Sequence, residues 1–316
     1  MYKVIYNPSS QSGKGEEYWQ DVKQVFESAH IRYEAYATTP EKGASVIAKN
    51  IFINNPEGII RLMVLGGDGT INDTLQSFTD NEFSRTILYY LPTGSSNDLA
   101  RDLEFDSDLV QMAKGYIRLD SFRKMDVGLL EYNNAALPGY KRRYFLVSAG
   151  IGFDASVCHE AMNSKIKNAF NKVGLGKLSY VGITFKQLMK IPKVNITIQE
   201  DNGPEKYLSK CYFVSVMNHK YQGGGLMFCP DACDYDGKLD VCYAAGISKL
   251  GVLKTLPTAY KGNHVNKKGI GISKMKTINI KSSELLYVHT DGEVMTKSDD
   301  ITIKVLANKL NFAVYK

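Results

Sequence analysis

Two glycine-containing turns stand directly after apolar segments, and their residue types suit a phosphate-bearing ligand. The turn Gly66–Thr70 follows the apolar run Gly58–Leu65, and the turn Leu91–Asp98 follows the apolar run Thr86–Tyr90. A buried strand that ends in glycines and leads into a helix exposes backbone N–H groups, and the positive end of the helix dipole adds to their attraction for anions. Each turn also carries an aspartate. We therefore expect the two turns to form opposite walls of one nucleotide site.

The first turn, Gly66–Thr70, combines close backbone approach with a carboxylate. Its glycines let the backbone come near a phosphate, and Thr70 stands where the N-cap of the next helix is expected. Phosphate oxygens would repel Asp68 unless a cation lay between them, so Mg²⁺ or its water shell is the natural partner. The alternative is a tight turn with a capping aspartate. The strand before the turn and the helix after it favour the nucleotide interpretation.

The second turn, Leu91–Asp98, offers hydroxyl groups to a phosphate, and Asn97 with Asp98 is expected to open a short helix. Its hydroxyl residues are Thr93, Ser95 and Ser96. A serine-rich turn with an Asn or Asp cap is the alternative.

The loop Asn7–Gly15 superficially resembles a P-loop, but no Ser or Thr follows its Gly-Lys pair, which argues against a Walker motif. A polar turn that helps to hold phosphate or substrate fits this loop better.

Two acidic segments occur late in the chain. Asp291–Glu293 (Asp-Gly-Glu) follows the strand-like run Leu285–His289, and a carboxylate there can bind a metal or accept the proton of an alcohol that attacks a phosphoryl group. A hairpin turn is the alternative, with His289 as an ordinary strand residue. The acid-rich loop Asp231–Asp240 suits a hard cation or a turn with side-chain-to-backbone hydrogen bonds.

Composition and length narrow the class of protein. The chain has 316 residues, of which 44% are hydrophobic and 23% charged, as expected for two globular domains. No apolar run approaches the roughly 20 residues that span a bilayer. The five cysteines are an odd number without a framework pattern, which favours a reducing cytoplasm. The spacing of Cys229, Cys233 and Cys242 matches no zinc template.

The net charge of +6 is unevenly distributed. The segment Lys165–Lys193 holds seven lysines and no acidic residue, interleaved with large apolar side chains, and further lysines cluster in 254–276. Such clusters are typical either of a solvated helix face or of a surface that docks on anionic lipid headgroups. No nucleic-acid motif accompanies them, so nucleic acid is not an expected partner.

Hydrophobic periodicity predicts two domains, 1–127 and 128–316. The first alternates strands with helices, which indicates a parallel sheet wound with helices on both faces and ligands at the carboxyl ends of its strands. Its predicted strands are 2–6, 31–37, 59–65 and 86–91, and its predicted helices are 15–29, 42–52, 71–78 and 97–103.

The second domain is predicted to be an antiparallel sandwich, because many short strands are separated by turns. Its helical signal is confined to 154–189 and 248–260, and its C-terminal strands are candidates to pack back near the first domain. The predicted strands are 127–132, 144–149, 193–199, 211–217, 239–244, 277–280, 285–289, 301–306 and 310–315.

Taken together and in order, these motifs resemble the soluble bacterial members of the diacylglycerol kinase catalytic-domain family, which are related to sphingosine kinases. The matching segments span nearly the whole chain: Asn7-Pro8, Gly66–Thr70, Pro92–Arg101, Gly150–Asp154, Pro230–Ala232 with Asp236-Gly237, Gly262–His264 and Asp291–Glu293. The resemblance implies a Rossmann-like α/β N-terminal domain of the NAD-kinase and diacylglycerol-kinase type, followed by an antiparallel β-sandwich domain.

The same resemblance implies roles for particular residues. ATP would be held by Thr39 (or Thr38) and by residues of the two turns, namely Gly66, Gly67, Asp68, Gly69, Thr70, Thr93, Gly94, Ser95 and Asn97. Asp68 and Asp98 would organise Mg-ATP. Glu293 or Asp291 would be the general base, with Glu293 preferred and Asp291 indispensable. A structural Mg²⁺ in the acidic loop would be bound by the Asp236 carboxylate and the backbone carbonyls of Cys233 and Lys238.

The resulting expectation is an ATP-dependent lipid kinase that converts diacylglycerol to phosphatidate. The lipid would enter between the domains from an anionic membrane touched by Lys165–Lys193. We therefore expect a cytoplasmic protein peripheral to the inner membrane surface, with a homodimer as the default assembly. Phosphatidylglycerol, an isoprenoid alcohol and a sphingoid base also present a hydroxyl group. Alternatives are phosphorylation of a soluble ribose hydroxyl, as in NAD kinases, and a non-catalytic lipid-binding module.

Overall fold

The computed structural model describes residues 1–118, 121–163 and 186–314. The chain forms two compact units. The first contains Met1–Val127 together with the segment from Ala307 onward, and the second contains Gly128–Leu306. The C-terminal segment therefore belongs to the first unit, where its Asn311 and Phe312 pair in parallel with Ile87 and Leu88.

The first unit is built on a parallel sheet. Its strands are β1 (Tyr2–Tyr6), β2 (Tyr33–Ala37), β3 (Ile60–Gly66) and β4 (Thr86–Pro92), in the order β2-β1-β3-β4. All three pairings are parallel. The four predicted strands are thus confirmed to within two residues at each end.

Helices cover this sheet because its strands β3 and β4 are apolar on both faces. They are α1 (Ser10–Gly13), α2 (Gly15–Ser28), α3 (Ala44–Asn54), α4 (Asp68–Leu75), α5 (Asp80–Arg85), α6 (Asp98–Asp102) and α7 (Leu109–Arg118). Met63 and Leu65 of β3 lie in one cluster with Trp19 of α2 and Tyr116 of α7. The alternate β3 residues are equally buried, so both faces are covered.

Hydrophobic periodicity did not predict α1, α5 and α7, and the expected start of α4 was wrong. Helix α5 begins after Thr79, which forms a capping box with Glu82, and this Thr-x-x-Glu pattern was visible in the sequence. Helix α4 starts at Asp68 with Gly67 as its N-cap. The expectation that Thr70 caps this helix was therefore wrong: the extended backbone of Gly67 starts the helix three residues earlier.

The second unit is an antiparallel sheet system. Its strands are β5 (Arg123–Ala135), β6 (Arg142–Phe145), β7 (Ser148–Gly152), β8 (Val194–Glu200), β9 (Lys206–Met217), β10 (Tyr221–Gln222), β11 (Leu226–Met227), β12 (Leu239–Ala245), β13 (Ile270–Met275), β14 (Thr277–Thr290) and β15 (Glu293–Phe312). The principal order is β13-β12-β9-β7-β14-β15. Strand β8 pairs with β14 and β9, and β5 pairs with β15 and β6. The first residues of β5 and the last residues of β15 belong to the first unit.

Several predicted strands of this unit merge or divide. The predicted strands 277–280 and 285–289 are one strand, β14, whose pairing with β15 shifts register between Lys281 and Leu286. The predicted strand 144–149 is divided between β6 and β7. Of the predicted helix 154–189, the structure describes α8 (Phe153–Asn163) and a helical stretch at 186–190.

The last predicted helix, 248–260, begins as α9 (Lys249–Thr255) and continues as the 3₁₀ helix Leu256–Lys261, followed by a second one, Asn263–Asn266. Pro257 falls in the first turn of the 3₁₀ segment, where a missing N–H is tolerated. Within the described ranges, every helix is too short or too polar to cross a lipid bilayer. Most of the basic run Lys165–Lys193 lies outside the described residues.

Candidate active site

The two glycine turns lie side by side in the first unit, because β3 and β4 are neighbouring parallel strands. Gly66 and Pro92 are register partners at the carboxyl ends of these strands, and the Thr93 N–H donates to the Gly66 carbonyl at 2.8 Å. A Cβ placed on Gly94 would lie 2.5 Å from the Cα of Gly67. Neither turn thus has room for a side chain where they meet. The structure brings the two turns together as the sequence predicted.

The two aspartates of these turns are also neighbours. The backbone N–H of Asp98 donates to Asp68 Oδ2 at 2.8 Å, and the Tyr90 hydroxyl donates to Asp68 Oδ1 at 3.3 Å. Asp98 is 5% exposed. Burial, and then the negative charge of Asp68, raise the pKa of Tyr90 far above its ordinary value, so this phenol remains a hydrogen-bond donor. Carboxylates held in this way suit a divalent cation and its phosphate ligands.

The loop after β1 contacts both glycine turns. Ser10 Oγ lies 2.9 Å from Thr93 Oγ1, and Asn7 Nδ2 donates to Thr70 Oγ1 at 3.3 Å. A Cβ on Gly15 would lie 1.9 Å from the Asn7 carbonyl oxygen, so α2 can start there only with a glycine. The polar turn inferred for this loop is therefore part of the same sheet edge.

The remaining residues predicted to bind ATP differ in their surroundings. Asn97 has a left-handed backbone (φ 49°), and its side chain accepts from the Gly94 N–H and donates to the Gly94 carbonyl, both at 2.9 Å. It closes the second turn on itself. Ser95 is exposed. Thr39 stands in the turn after β2, where its hydroxyl accepts from the Lys42 N–H at 3.1 Å. As β2 is parallel to β1, Thr39 lies at the carboxyl edge of the same sheet.

In the second unit, Asp291 is held by backbone donors. Its carboxylate accepts from the N–H groups of Leu146 at 2.9 Å, Val147 at 2.8 Å and Ser148 at 2.9 Å. Asp291 and Gly292 both have positive φ, 50° and 85°, as a two-residue hairpin turn of type I′ requires. The turn joins β14 to β15, so the hairpin interpretation of this segment is confirmed, and its chemical role stays a prediction.

A buried polar network lies behind this turn, and the sequence did not reveal it. His289 is fully buried; its Nε2 lies 3.2 Å from Asp154 Oδ2, and its Nδ1 accepts from the Gly292 N–H at 3.3 Å. Because Nδ1 is an acceptor, the ring proton sits on Nε2 and faces the Asp154 carboxylate. Ser215 Oγ lies 2.9 Å from the same Asp154 oxygen. The network links α8 to the turn that carries Glu293.

Glycine is required beside this network. A Cβ on Gly150 would lie 2.2 Å from Asp154 Oδ2 and 2.7 Å from His289 Nε2. The segment Gly150–Asp154 is one of those that carry the family resemblance. Its first glycine and its aspartate are now seen to serve one purpose, which is to let His289 pack against a carboxylate in the interior.

The acidic loop places Asp236 beside two nitrogen donors. The Lys238 N–H donates to Asp236 Oδ1 at 2.9 Å, and Lys274 Nζ donates to Oδ2 at 2.8 Å. Burial raises the pKa of Asp240 to about 6, against the opposing effect of the Lys274 ammonium. Among the described residues, no group of three or more His, Cys, Asp and Glu side chains is arranged to hold a metal. Binding of Mg²⁺ by Cys233, Asp236 and Lys238 stays a prediction.

Comparison with known proteins identifies the class. Residues 1–130 match the family described as "Diacylglycerol kinase catalytic domain", and residues 147–314 match the "YegS C-terminal NAD kinase beta sandwich-like domain". These matches confirm the predicted α/β domain followed by a β-sandwich. The chain belongs to the diacylglycerol kinase catalytic-domain family, which places it among the kinases.

Individual relatives agree with this assignment. The chain is 29% identical to the diacylglycerol kinase of Staphylococcus haemolyticus (strain JCSC1435), covering 92% of this chain and 81% of the relative. It is 25% identical to the diacylglycerol kinase of Bacillus subtilis (strain 168), covering 92% of this chain and 89% of the relative. A crystal structure of a diacylglycerol kinase from Bacillus anthracis str. Sterne shares the fold, with a TM-score of 0.68 and 20% identity over 100% of this chain and 96% of that one.

The close approach of the glycine turns gives a testable prediction. Gly94→Ala should lower the free energy of unfolding by about 1–3 kcal/mol, because its Cβ has no room beside Gly67 and the turns must separate. The matched control is Ser95→Ala at the adjacent exposed position, which should change this free energy by less than about 0.5 kcal/mol. Urea unfolding followed by circular dichroism measures both. Equal stability of the two variants would contradict the packing described for the turns.

Proposed function

We propose that this protein is an ATP-dependent lipid kinase that transfers the γ-phosphoryl group of ATP to a lipid hydroxyl, with diacylglycerol as the acceptor and phosphatidate as the product. The observation that carries the proposal is the contact between the Asp68 and Asp98 turns at the carboxyl edge of a parallel sheet, in a chain of the diacylglycerol kinase family. Ligands of such sheets bind at this edge. The names of the relatives support a lipid acceptor.

The first unit would bind ATP. The glycine turns leave backbone next to the space that phosphates would occupy, and Thr70 and Thr93 add hydroxyl groups. Asp68 and Asp98 would hold Mg²⁺, which supplies positive charge that offsets the charge of the transferring phosphoryl group. Asn97 is proposed to act indirectly, because its side chain is engaged with Gly94. Thr39 is proposed to contact ATP from the turn after β2, the outermost strand of the sheet.

In the second unit, we assign Glu293 as the general base. The Asp291 carboxylate accepts three backbone N–H groups, which favours a role in holding the turn. Glu293 is the first residue of β15 and a register partner of Thr290, so the strand fixes the position of its backbone. The His289–Asp154 pair would keep the turn in place from behind through the Gly292 N–H.

The reaction would proceed by direct transfer. The lipid hydroxyl loses its proton to the Glu293 carboxylate as its oxygen forms a bond to the γ-phosphorus. The bond from that phosphorus to the bridging oxygen breaks, and ADP leaves with the bonding electrons. A carboxylate aligned with the acceptor contributes about 10²–10⁴-fold to such a step.

The proposal includes peripheral binding to an anionic membrane at the cytoplasmic surface. Within the described residues, the basic cluster formed by Lys254, Lys261, Lys267 and Lys268 is exposed, and each lysine near an anionic surface contributes about 1 kcal/mol. The run Lys165–Lys193 would add to this cluster. Homodimer formation stays a prediction.

Separate roles for the two carboxylates of the turn can be tested. Glu293→Gln should lower kcat by about 10²–10⁴-fold and leave the melting temperature unchanged, since the amide keeps the size of the side chain. Asp291→Asn should lower kcat and, unlike Glu293→Gln, should lower the melting temperature as well, because an amide N–H group would face a backbone donor. Transfer of label from radiolabelled ATP to diacylglycerol in mixed micelles measures kcat, and calorimetry measures stability. Glu293→Gln with wild-type kcat would refute its role as the base.

The acceptor is tested with a panel of hydroxyl compounds. Diacylglycerol, phosphatidylglycerol, an isoprenoid alcohol, a sphingoid base and NAD are each supplied with radiolabelled ATP and Mg²⁺, and diacylglycerol should give the highest kcat/KM. Asp68→Asn is the control for label transfer by contaminating kinases and should lose activity on every compound. Phosphorylation of NAD without phosphorylation of any lipid would overturn the proposed function.

A further inference from the structure

A lysine ammonium group lies beside two carboxylates in the acidic loop of the second unit. Lys274 Nζ lies 2.8 Å from Asp236 Oδ2 and 3.6 Å from Asp240 Oδ2. Asp236 precedes β12, Asp240 lies in β12, and Lys274 lies in β13. One ammonium group therefore bridges two carboxylates from the loop and from the strand that follows it.

The sheet itself places the lysine there. Strands β12 and β13 are antiparallel, and Asp240 and Lys274 are direct register partners. Directly opposed residues on such strands have Cβ atoms about 4.5–5.5 Å apart, so an aspartate and a lysine at these positions meet without rearrangement of the backbone. The Lys274 contact thus follows from strand pairing and not from the chance rotamer of a surface side chain.

The two carboxylates contact this ammonium in different ways: Asp236 accepts a hydrogen bond from it, and Asp240 forms an ion pair with it. Asp236 Oδ1 accepts the Lys238 N–H at 2.9 Å, so both oxygens of Asp236 have a nitrogen donor from the chain. The Asp240 side chain is 3% exposed, and a buried carboxylate is costly unless a positive charge lies nearby. An ammonium has three N–H donors to share between such groups.

A metal at this loop would have to compete with these contacts. The family resemblance implies a Mg²⁺ bound by the Asp236 carboxylate and the carbonyls of Cys233 and Lys238. Lys274 Nζ donates to the carboxylate that this ion would need, and two positive charges so close repel each other. The residues present do not fit the ion unless Lys274 moves away from its strand partner.

We propose that the Lys274 ammonium is the resident cation of the acidic loop, so that this loop folds without a structural Mg²⁺. The inference does not rest on the proposed kinase function. Magnesium that accompanies ATP in the first unit is a separate matter. The consequence is that the stability of the nucleotide-free protein is independent of divalent cations.

The first test is thermal unfolding of the full-length, nucleotide-free protein in excess EDTA, in MgCl₂ and in CaCl₂. The melting temperature should agree among the three conditions to within about 1 °C. The opposite result would be a melting temperature that falls by several degrees in EDTA and is restored by MgCl₂. If Asp236→Asn abolishes this dependence on Mg²⁺, the ion belongs to the acidic loop and the proposal is overturned.

The second test removes the lysine. Lys274→Met keeps the length of the side chain but leaves Asp236 and Asp240 without their common counter-charge, so its melting temperature in EDTA should fall by about 2 °C or more. The matched control is Lys276→Met, at an exposed position between β13 and β14. This variant should not change the melting temperature. If the two variants are equally stable, Lys274 is not the cation of the loop. If Lys274→Met does not fold, the EDTA comparison on the wild-type protein still decides.

Discussion

The candidate phosphate-binding edge depends on the contact between two turns that have no side chains where they meet. Gly67 and Gly94 approach so closely that a Cβ on Gly94 would lie 2.5 Å from the neighbouring Cα. This approach lets the Asp98 N–H reach the Asp68 carboxylate at 2.8 Å. Without it, the two aspartates would belong to separate loops. The parallel pairing of β3 with β4 fixes the contact, because the last residues of the two strands, Gly66 and Pro92, are register partners.

A similar arrangement occurs in the second unit, where a carboxylate again accepts hydrogen bonds from backbone N–H groups. Asp291 accepts three such groups from residues 146–148, and the turn it anchors presents Glu293. Hydrogen bonds to an ionised acceptor are about twice as strong as those between neutral groups. A carboxylate that is fixed by the main chain keeps its place without depending on the rotamers of other side chains. The Lys274 contact differs, because there a side-chain ammonium bridges carboxylates of the acidic loop.

Local sequence signals predicted the elements well, since apolar runs and glycine turns act over a few residues. The strands and the adjacency of the two turns followed from the alternation of strands and helices. Finer positions depend on backbone geometry that the residue types do not determine: Thr70 resembles an N-cap, but the extended Gly67 starts α4 earlier. By contrast, the Thr-x-x-Glu pattern of Thr79 and Glu82 is typical of a capping box, and this local signal is sufficient to predict the start of α5.

Long-range partners were not predictable from one sequence. Nothing near Asp291 in the chain indicates residues 146–148, and nothing near Asp236 indicates Lys274. The pairing of His289 with Asp154 joins residues 135 positions apart. Register decides such contacts, and a shift of one residue would send each side chain to the opposite face of the sheet. For this reason the sequence left the partner of Asp236 open, and the structure places the Lys274 ammonium 2.8 Å from its carboxylate.

The most direct test of the account is hydrogen exchange, measured by mass spectrometry, of peptides that cover residues 66–70 and 92–98. Saturating MgATP should slow amide exchange in both peptides together, because both turns would line the same phosphates. Exchange in a peptide covering the exposed end of α3 serves as the internal control and should not change. Unchanged exchange in both turns, under conditions in which the protein transfers phosphate, would contradict the account.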